Sequence, residues 1–411
     1  MPKSSQCNIL LFDLFSTGHH AGYLLHLIKY WQEMSLSGSL QVLVTPTFVE
    51  SHPDVVAAAK QGVSLITVTS EEEQQLKSEK SSSDRLARSF QEWDLLQKYG
   101  QKLQPSHCVL MYLDSMLLAL ALKGKSPCPI SGIYFRPIFH YGEFADFQSS
   151  LKERLLQGRD RLILGQLLAK KQFKTLFCLD PFAVERIAQF NTSVAPIYLA
   201  DPVQIYSNSD SQLEELKASL GLSQDRKVFL MFGVPQGRKG IYQLLEAIAL
   251  LPNNLAQQFC LLLVGPKSED PSIHSRIVEL QQSLPVQIIK REQFIQDKEI
   301  QPYFQISDVI LAPYQRHIGM SAILVRAAAA QKPVLSCNYG LMGEMVKRYE
   351  LGITVDASSP EEIAQGITRF LLQSGEKLGN PATMKSFAEI NTAKNFAKTI
   401  FGNIGTYSHF K

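Results

Sequence analysis

The segment VFLMFGVPQGRKGIYQLLEAIALL sets Arg238 and Lys239 between a buried apolar run ending at Gly233 and an amphipathic run that follows Gly240. Two cations at a helix N-terminus suit a pyrophosphate: they supply charge-assisted donors, and the helix end adds unpaired N–H groups and partial positive charge. A solvated basic turn would have the same composition. A second segment, ISDVILAPYQRHIGMSAILVRAAAAQKPVLSCNYGLMGEMV, passes from an apolar strand through Pro313 into an irregular loop holding His317, Gly319, Met320 and Ser321. Ser321 is a candidate N-cap for the Ala-rich helix that follows. Small residues there let backbone amides approach an anion, and equally Ala327–Ala330 suit tight packing of a helix on a sheet.

Other chemistry-bearing residues lie in the first half. FDLFSTGHHAGYLLHLIKYW has one glycine at its turn, Gly18, and is not G-x-G-x-x-G, which removes the main support for a dinucleotide dehydrogenase. His19 and His20 occupy the loop-to-helix position, as substrate contacts or as solvent-facing histidines of a helix end. RPIFHYGEFADF brings Arg136, His140, Tyr141 and Glu143 together with three phenylalanines. Rings beside hydrogen-bonding groups suit a sugar or lipid acceptor, and core aromatics with a structural arginine explain the same composition. Asp114 follows an apolar run and either N-caps a helix beginning near Met116 or faces a ligand. No Asp-x-Asp pair occurs in the chain, so no divalent-metal site is signalled.

Positioning these residues requires strands alternating with crossover helices. Expected strands are Asn8–Asp13, Gln41–Thr45, Val63–Val68, Cys108–Leu113, Ser131–Phe135, Thr175–Leu179 and Ile197–Leu199. They are followed by Val228–Gly233, Phe259–Val264, Val286–Ile289, Val309–Ala312, Val334–Ser336 and Gly352–Val355. The amphipathic runs between them predict an α/β protein with two successive doubly wound sheets and a ligand cleft between their carboxyl edges. A polar stretch, QIYSNSDSQ, follows Asp201-Pro202 and precedes a helix at Gln212–Leu220, so it reads as a linker. The expected domains are 1–201, 202–380 and a C-terminal helical segment, 381–411. Glu71–Ser83 is polar and Ser-rich, an exposed loop or frayed helix.

At 411 residues with 45% hydrophobic and 19% charged residues, the chain can bury two cores without disulfides or metals. The net charge of +3 gives no general drive toward nucleic acid. Six scattered cysteines without C-x-x-C spacing read as buried thiols of a reducing compartment. MPKSSQCNILLFDLF lacks signal-peptide features, and the longest apolar stretch, Val109–Leu122, contains Asp114 and is too short to span a bilayer. A cytoplasmic protein is expected, and the sequon Asn191-Thr192-Ser193 reads as chance. Residues 151–174 (LKERLLQGRDRLILGQLLAKKQFK) carry seven cations against two anions, with leucines at roughly helical spacing. An ordinary surface helix, or a peripheral contact with anionic membrane at the inner face, fits that pattern.

In combination, these motifs resemble glycosyltransferases of the GT-B fold, and the second half is similar to glycosyltransferase family 4, from about Phe177 to Phe401 and most strongly between Val228 and Asp356. Gly233, Lys239 and Gly240 match the family's strand–glycine–lysine–glycine element. The resemblance implies that Lys239 meets the donor pyrophosphate, with Gly319, Met320 and Ser321 beside it. Val234 replaces the family's arginine after the glycine, and Arg238 stands near it in a shifted register. The paired glutamates of the family fall at Ile318 and Arg326, so both carboxylates are absent; Arg326 is left to a salt bridge, a phosphate contact or packing. Gly340-Leu341-Met342-Gly343-Glu344 resembles the family's Gly-Gly-Leu-Pro-Glu turn and retains Glu344. The implied donor site is bordered by Gly18, His317, Arg326, Gly343 and Glu344, with His19 and His140 as catalytic candidates and Asp114 and Arg136 on the acceptor side. The implied chemistry is retaining, metal-independent transfer from a UDP-, GDP- or ADP-sugar, with Pro381–Ile404 crossing back to the first domain. A catalytically impaired scaffold binding a nucleotide sugar, lipid or protein partner is the alternative, and a sugar-nucleotide epimerase a third reading.

Overall fold

A computed structural model describes residues 7–404 except 79–80, 145, 148–149, 191, 193, 207 and 374–377. Short runs rich in Leu, Val, Ile and Phe form the strands; the central ones are buried on both faces, as parallel sheets covered by helices require, and those at the sheet edges are partly exposed. In the first half these are β1 (Asn8–Phe12), β2 (Ser39–Val44), β3 (Val63–Thr67), β4 (His107–Leu110), β5 (Ile130–Tyr134), β6 (Phe173–Cys178) and β7 (Ala195–Tyr198). In the second they are β8 (Lys227–Phe232), β9 (Phe259–Gly265), β10 (Gln287–Glu292), β11 (Val309–Ala312), β12 (Val334–Cys337) and β13 (Gly352–Val355). Every expected strand forms. The largest changes of boundary are at Cys108–Leu113, where β4 stops at Leu110 and a helix begins at Leu113, and at Val286–Ile289, where β10 runs on to Glu292.

All pairings are parallel, in a seven-stranded sheet ordered β3-β2-β1-β4-β5-β6-β7 and a six-stranded sheet ordered β10-β9-β8-β11-β12-β13. In each sheet the order reverses beside the first strand, between β1 and β4 and between β8 and β11. There the crossovers leave in opposite directions and open a crevice at the carboxyl ends.

The chain divides into two compact units. The first holds the described residues of 1–142, 149–202 and 393–411; the second holds those of 143–148 and 203–392. One face of the first sheet packs against Trp93, Tyr99, Met116 and Leu164, the other against Leu24, Leu27, Trp31 and Phe396. The second sheet is covered by a cluster that includes Leu244, Ile248, Ile277, Ile363 and Phe370.

The expected C-terminal segment is two helices, not one. Pro381–Ile390 packs on Ala322–Ala329 within the second unit, and only Ala393–Ile404 joins the first, against the helix His20–Glu33. The linker after Pro202 is tied down: Asn208 Nδ2 donates to Gln305 Oε1 at 3.0 Å, and Ser209 and Gln212 form a capping box for the helix Asp210–Leu220. Glu71–Ser83 divides similarly. Thr69 and Glu72 cap a helix at Ser70–Gln75, and Ser81 caps Ser82–Leu103. The basic segment 151–174 is a helix only over Leu151–Leu168; Lys170 and Lys171 lie in a turn closed by the Phe173 N–H on the Lys170 carbonyl, and Lys174 lies in β6. Asn191 and Ser193 of the sequon lie outside the described residues.

Candidate functional site

In the second unit the loops after β8 and β11 flank the point where strand order reverses. β8 ends at Phe232, and Gly233 turns the chain with φ of +95°, its N–H on the Val264 carbonyl at 2.7 Å. A Cβ at Gly233 would stand 2.2 Å from Lys239 Nζ. The ammonium reaches back over the turn to donate to the Phe232 carbonyl and lies 5.6 Å from the Tyr314 ring centroid. Lys239 is only 8% exposed. Burial, and then the charge of Arg238, hold its pKa down to about 8. An incoming anion would offset that burial penalty and raise the pKa again.

Gly240 then enters the helix Ile241–Ala249 at φ +78°; a Cβ there would stand 2.0 Å from the Pro313 carbonyl oxygen. The two loops are also joined by the Gln315 N–H, which donates to the Arg238 carbonyl at 2.9 Å. With the Gln236 amide turned to satisfy it, its oxygen accepts from Arg238 Nε at 2.8 Å. In the β11 loop, Arg316 and Gly319 both take positive φ, and His317 meets the edge of Tyr314 at 5.3 Å, with Nε2 3.4 Å from the Met320 carbonyl. Ser321 occupies the N-cap position of Ala322–Ala329, as expected, but makes no capping bond; its side chain hydrogen-bonds Tyr314 instead.

Three residues of the second unit are held by neighbours. Arg326 is buried and ion-paired with Asp297, while its carbonyl accepts from Gln301 Nε2 at 3.2 Å. Of its three expected roles, the structure displays the salt bridge. Gly343 and Glu344 belong not to a turn but to the start of the helix Gly340–Arg348. Glu344 accepts from Lys347 at 3.1 Å, and Lys347 also pairs with Asp146. Gly265, at the end of β9, was not singled out from sequence. It packs so closely that a Cβ would lie 2.7 Å from the Gly233 carbonyl carbon. It borders a cavity of about 310 Å³ that Pro235, His274, Lys290 and Glu292 also line. The Gly265-Pro266 step after an apolar strand was its sequence signal.

In the first unit the loop after β1 is built on a buried pair, Asp13 and His20, with Nδ1 2.8 Å from both carboxylate oxygens. Phe15, His20, His19 and Phe135 stack in succession at centroid distances of 4.9, 4.3 and 4.3 Å, and Arg88 lies 4.1 Å over Phe15. Tyr112, from the loop after β4, meets Phe15 and His20 edge-on. His19 keeps an outer edge in solvent. Its walled flanks, then His20 and Arg136, lower its pKa from 6.5 and favour the neutral ring. Gly18 turns the chain into this stack with φ of +79°.

Two expectations in the first unit are corrected. Asp114 is not the N-cap, which is Tyr112; it lies in the first turn of Leu113–Leu122 and accepts the Phe135 and Arg136 N–H groups at 2.8 and 2.9 Å. Burial raises its pKa to about 6 against the pull of those bonds and of Arg136. It thereby fixes the turn that leaves the Arg136 side chain exposed. His140 is 3% exposed, with Nε2 3.1 Å from the buried Asp180 carboxylate. A ring enclosed this way is an interior partner of Asp180. The loop RPIFHYGEFADF itself divides between the units after Gly142.

Among the described residues, no three His, Cys, Asp or Glu side chains are grouped to hold a metal ion, and no helix is long and apolar enough to cross a membrane.

Residues 212–386 match the family model described as glycosyl transferases group 1. A protein of Bacillus subtilis strain 168 named as a teichuronic acid biosynthesis glycosyltransferase, TuaC, is 22% identical over 186 residues, covering 45% of this chain and 43% of that protein. The chain thus aligns with less than half the length of that relative. Among solved structures, a glycosyltransferase from Rickettsia africae ESF-5 matches with a TM-score of 0.65 at 14% identity, covering 99% of this chain and 100% of that one. Alr3699/HepE from Anabaena in complex with UDP matches with a TM-score of 0.63 at 15% identity, covering 97% and 99%. The two Rossmann-like units are those of the GT-B fold.

Proposed function

We propose that this chain, whose second unit is a glycosyl transferases group 1 domain within a GT-B fold, moves a sugar from a nucleotide-sugar donor to an acceptor. The carrying observation is the buried Lys239 ammonium over Gly233, at the reversal of strand order, with a depressed pKa and a helix N-terminus directly behind it. The loop of Gly319, Met320 and Ser321 supplies backbone donors on the far side of that crevice, with His317, Gly343 and Glu344 around the donor. On the first unit, Arg136 is assigned to the acceptor side, positioned by Asp114, with His19 as the catalytic candidate.

The reaction proposed is retaining and needs no metal. The bond from the anomeric carbon to the donor phosphate oxygen breaks, and the acceptor hydroxyl oxygen forms the new bond on the same face. The hydroxyl proton passes to the departing phosphate, whose developing charge Lys239 and Arg238 stabilise. UDP is the first donor base to test, because HepE is described in complex with UDP. The acceptor is assigned to polysaccharide or glycolipid synthesis by analogy with the teichuronic acid relative. The basic segment 151–174 is the proposed contact with a membrane carrying such an acceptor.

One observation favours the scaffold alternative: the two family glutamates are replaced by Ile318, which is exposed, and by Arg326, which is already paired with Asp297. Calorimetric titration with UDP, GDP and ADP in EDTA, followed by diphosphate release from the matching donors, separates the readings. Transfer predicts binding that Lys239→Ala weakens, together with diphosphate release; binding without turnover favours the scaffold.

A further inference from the structure

We propose that the helix Leu151–Leu168 lies flat on an anionic membrane surface, with Leu151, Leu155 and Leu162 entering the headgroup boundary. This deepens the membrane contact of the previous section but rests on the helix itself, not on sugar transfer. Leu164, Leu167 and Leu168 are buried against the first sheet and account for the packed side of the helix. Three further leucines do not share it. Leu151, Leu155 and Leu162 are 80%, 76% and 72% exposed, among the most exposed large apolar side chains described.

Their placement is ordered. At 3.6 residues per turn, positions i, i+4 and i+11 form one stripe, which Gly158 continues without a side chain to interrupt it. Lys152 and Arg159, seven residues apart, run along one edge; Arg154 and Arg161, again seven apart, run along the other. Both anions, Glu153 and Asp160, fall on a third line, away from the stripe. Glu153 closes the capping box with Ser150, and Asp160 accepts from Arg159 at 2.7 Å. An apolar stripe bordered on both sides by cations is the pattern of a helix lying in a bilayer interface. Charge complementarity selects anionic lipid, since four cations flank the stripe and no carboxylate does. Lys170, which donates to the Lys123 carbonyl, stands outside this face.

The test uses the full chain and sedimentation with vesicles of phosphatidylcholine, with and without phosphatidylglycerol. Binding is expected with the anionic vesicles, weakened by salt and by omission of phosphatidylglycerol. Leu155→Ser/Leu162→Ser and Lys152→Glu/Arg154→Glu should each lower partitioning by roughly tenfold or more. Leu372→Ser, at a leucine 69% exposed in the second unit, should leave it unchanged. Circular dichroism confirms that each variant is folded. Absence of binding at low salt, equal binding to neutral vesicles, or unaffected variants would overturn the proposal. So would loss of self-association in the leucine variant without any vesicle binding, which would make the stripe a contact between copies. UDP titration of the same preparations reports donor binding separately, so either proposal can fail alone.

Discussion

The two units build the same element, a strand, a loop and a helix at a reversal of strand order, from opposite materials. After β1 the loop is filled with rings and buried ion pairs: Asp13 with His20, and Arg88 with Glu92, the Arg88 guanidinium also donating to the Leu14 carbonyl at 2.9 Å. After β8 it is emptied by glycine, and one lysine folds into the space. The first arrangement presents flat apolar faces with hydrogen-bonding edges, which suit a polyhydroxylated or lipid-borne acceptor. The second concentrates backbone N–H groups and one cation on a small volume, which suits phosphate. A shared topology therefore fixes where each loop stands, while its composition fixes the chemistry it presents.

The sharpest way to break this comparison is to remove what holds the first loop. Glu92 is 1% exposed and accepts from Arg88 Nε at 2.6 Å and from Ser115. Glu92→Ala leaves Arg88 buried without its counter-charge and should cost about 3–5 kcal/mol in urea unfolding. If stability hardly changes, the pair is not what supports the β1 loop. In the second unit, Lys239→Ala should weaken UDP binding by roughly 10- to 100-fold, as for a lost charge-assisted bond to phosphate, with little loss of stability because burial and Arg238 already penalise the ammonium that is removed. Calorimetry and thermal melts together check both halves of that expectation.

A subtler effect concerns protons. Free Lys239 titrates near pH 8, and a bound anion raises that value, so nucleotide binding takes up a proton above pH 8. Affinity should therefore fall as pH rises from 8 and level off beyond the bound-state pKa. Lys239→Arg should flatten the profile, and titrations in buffers of different ionisation enthalpy measure the uptake directly. The smallest effect belongs to His19. The folded protein favours its neutral ring, so the unfolded chain holds more protons below pH 6.5. His19's contribution to stability should decline as pH falls from 6.5 toward the lowered value, and His19→Gln should remove that part of the slope in urea midpoints measured across the range.

Much of the fold could be read in advance because the signals are local. Apolar runs of strand length, with amphipathic runs between them, placed β1 to β13 within a few residues. Gly233, Lys239 and Gly240 were legible because a turn with positive φ and a helix start leave marks within eight residues. The capping box at Thr69 and Glu72 is equally local, but the polar composition of the run it opens masked it, and Glu71–Ser83 read only as an exposed loop or frayed helix.

What the tertiary structure alone decided were pairings across long separations. Asp297 with Arg326, Asp180 with His140, Asp114 with the Phe135 and Arg136 amides, and the approach of Gly265 to Gly233 depend on which strands become neighbours and in what register. No local propensity encodes that choice. It also decided that His140 is an interior residue and that Leu151, Leu155 and Leu162 are not. Burial is a property of a face, and periodicity shows that a helix has faces without showing which of them the sheet will cover. The residue types and spacing determined an α/β chain with a glycine-bounded basic turn after β8; the packing of helices and loops on each sheet determined which charged groups are spent on one another.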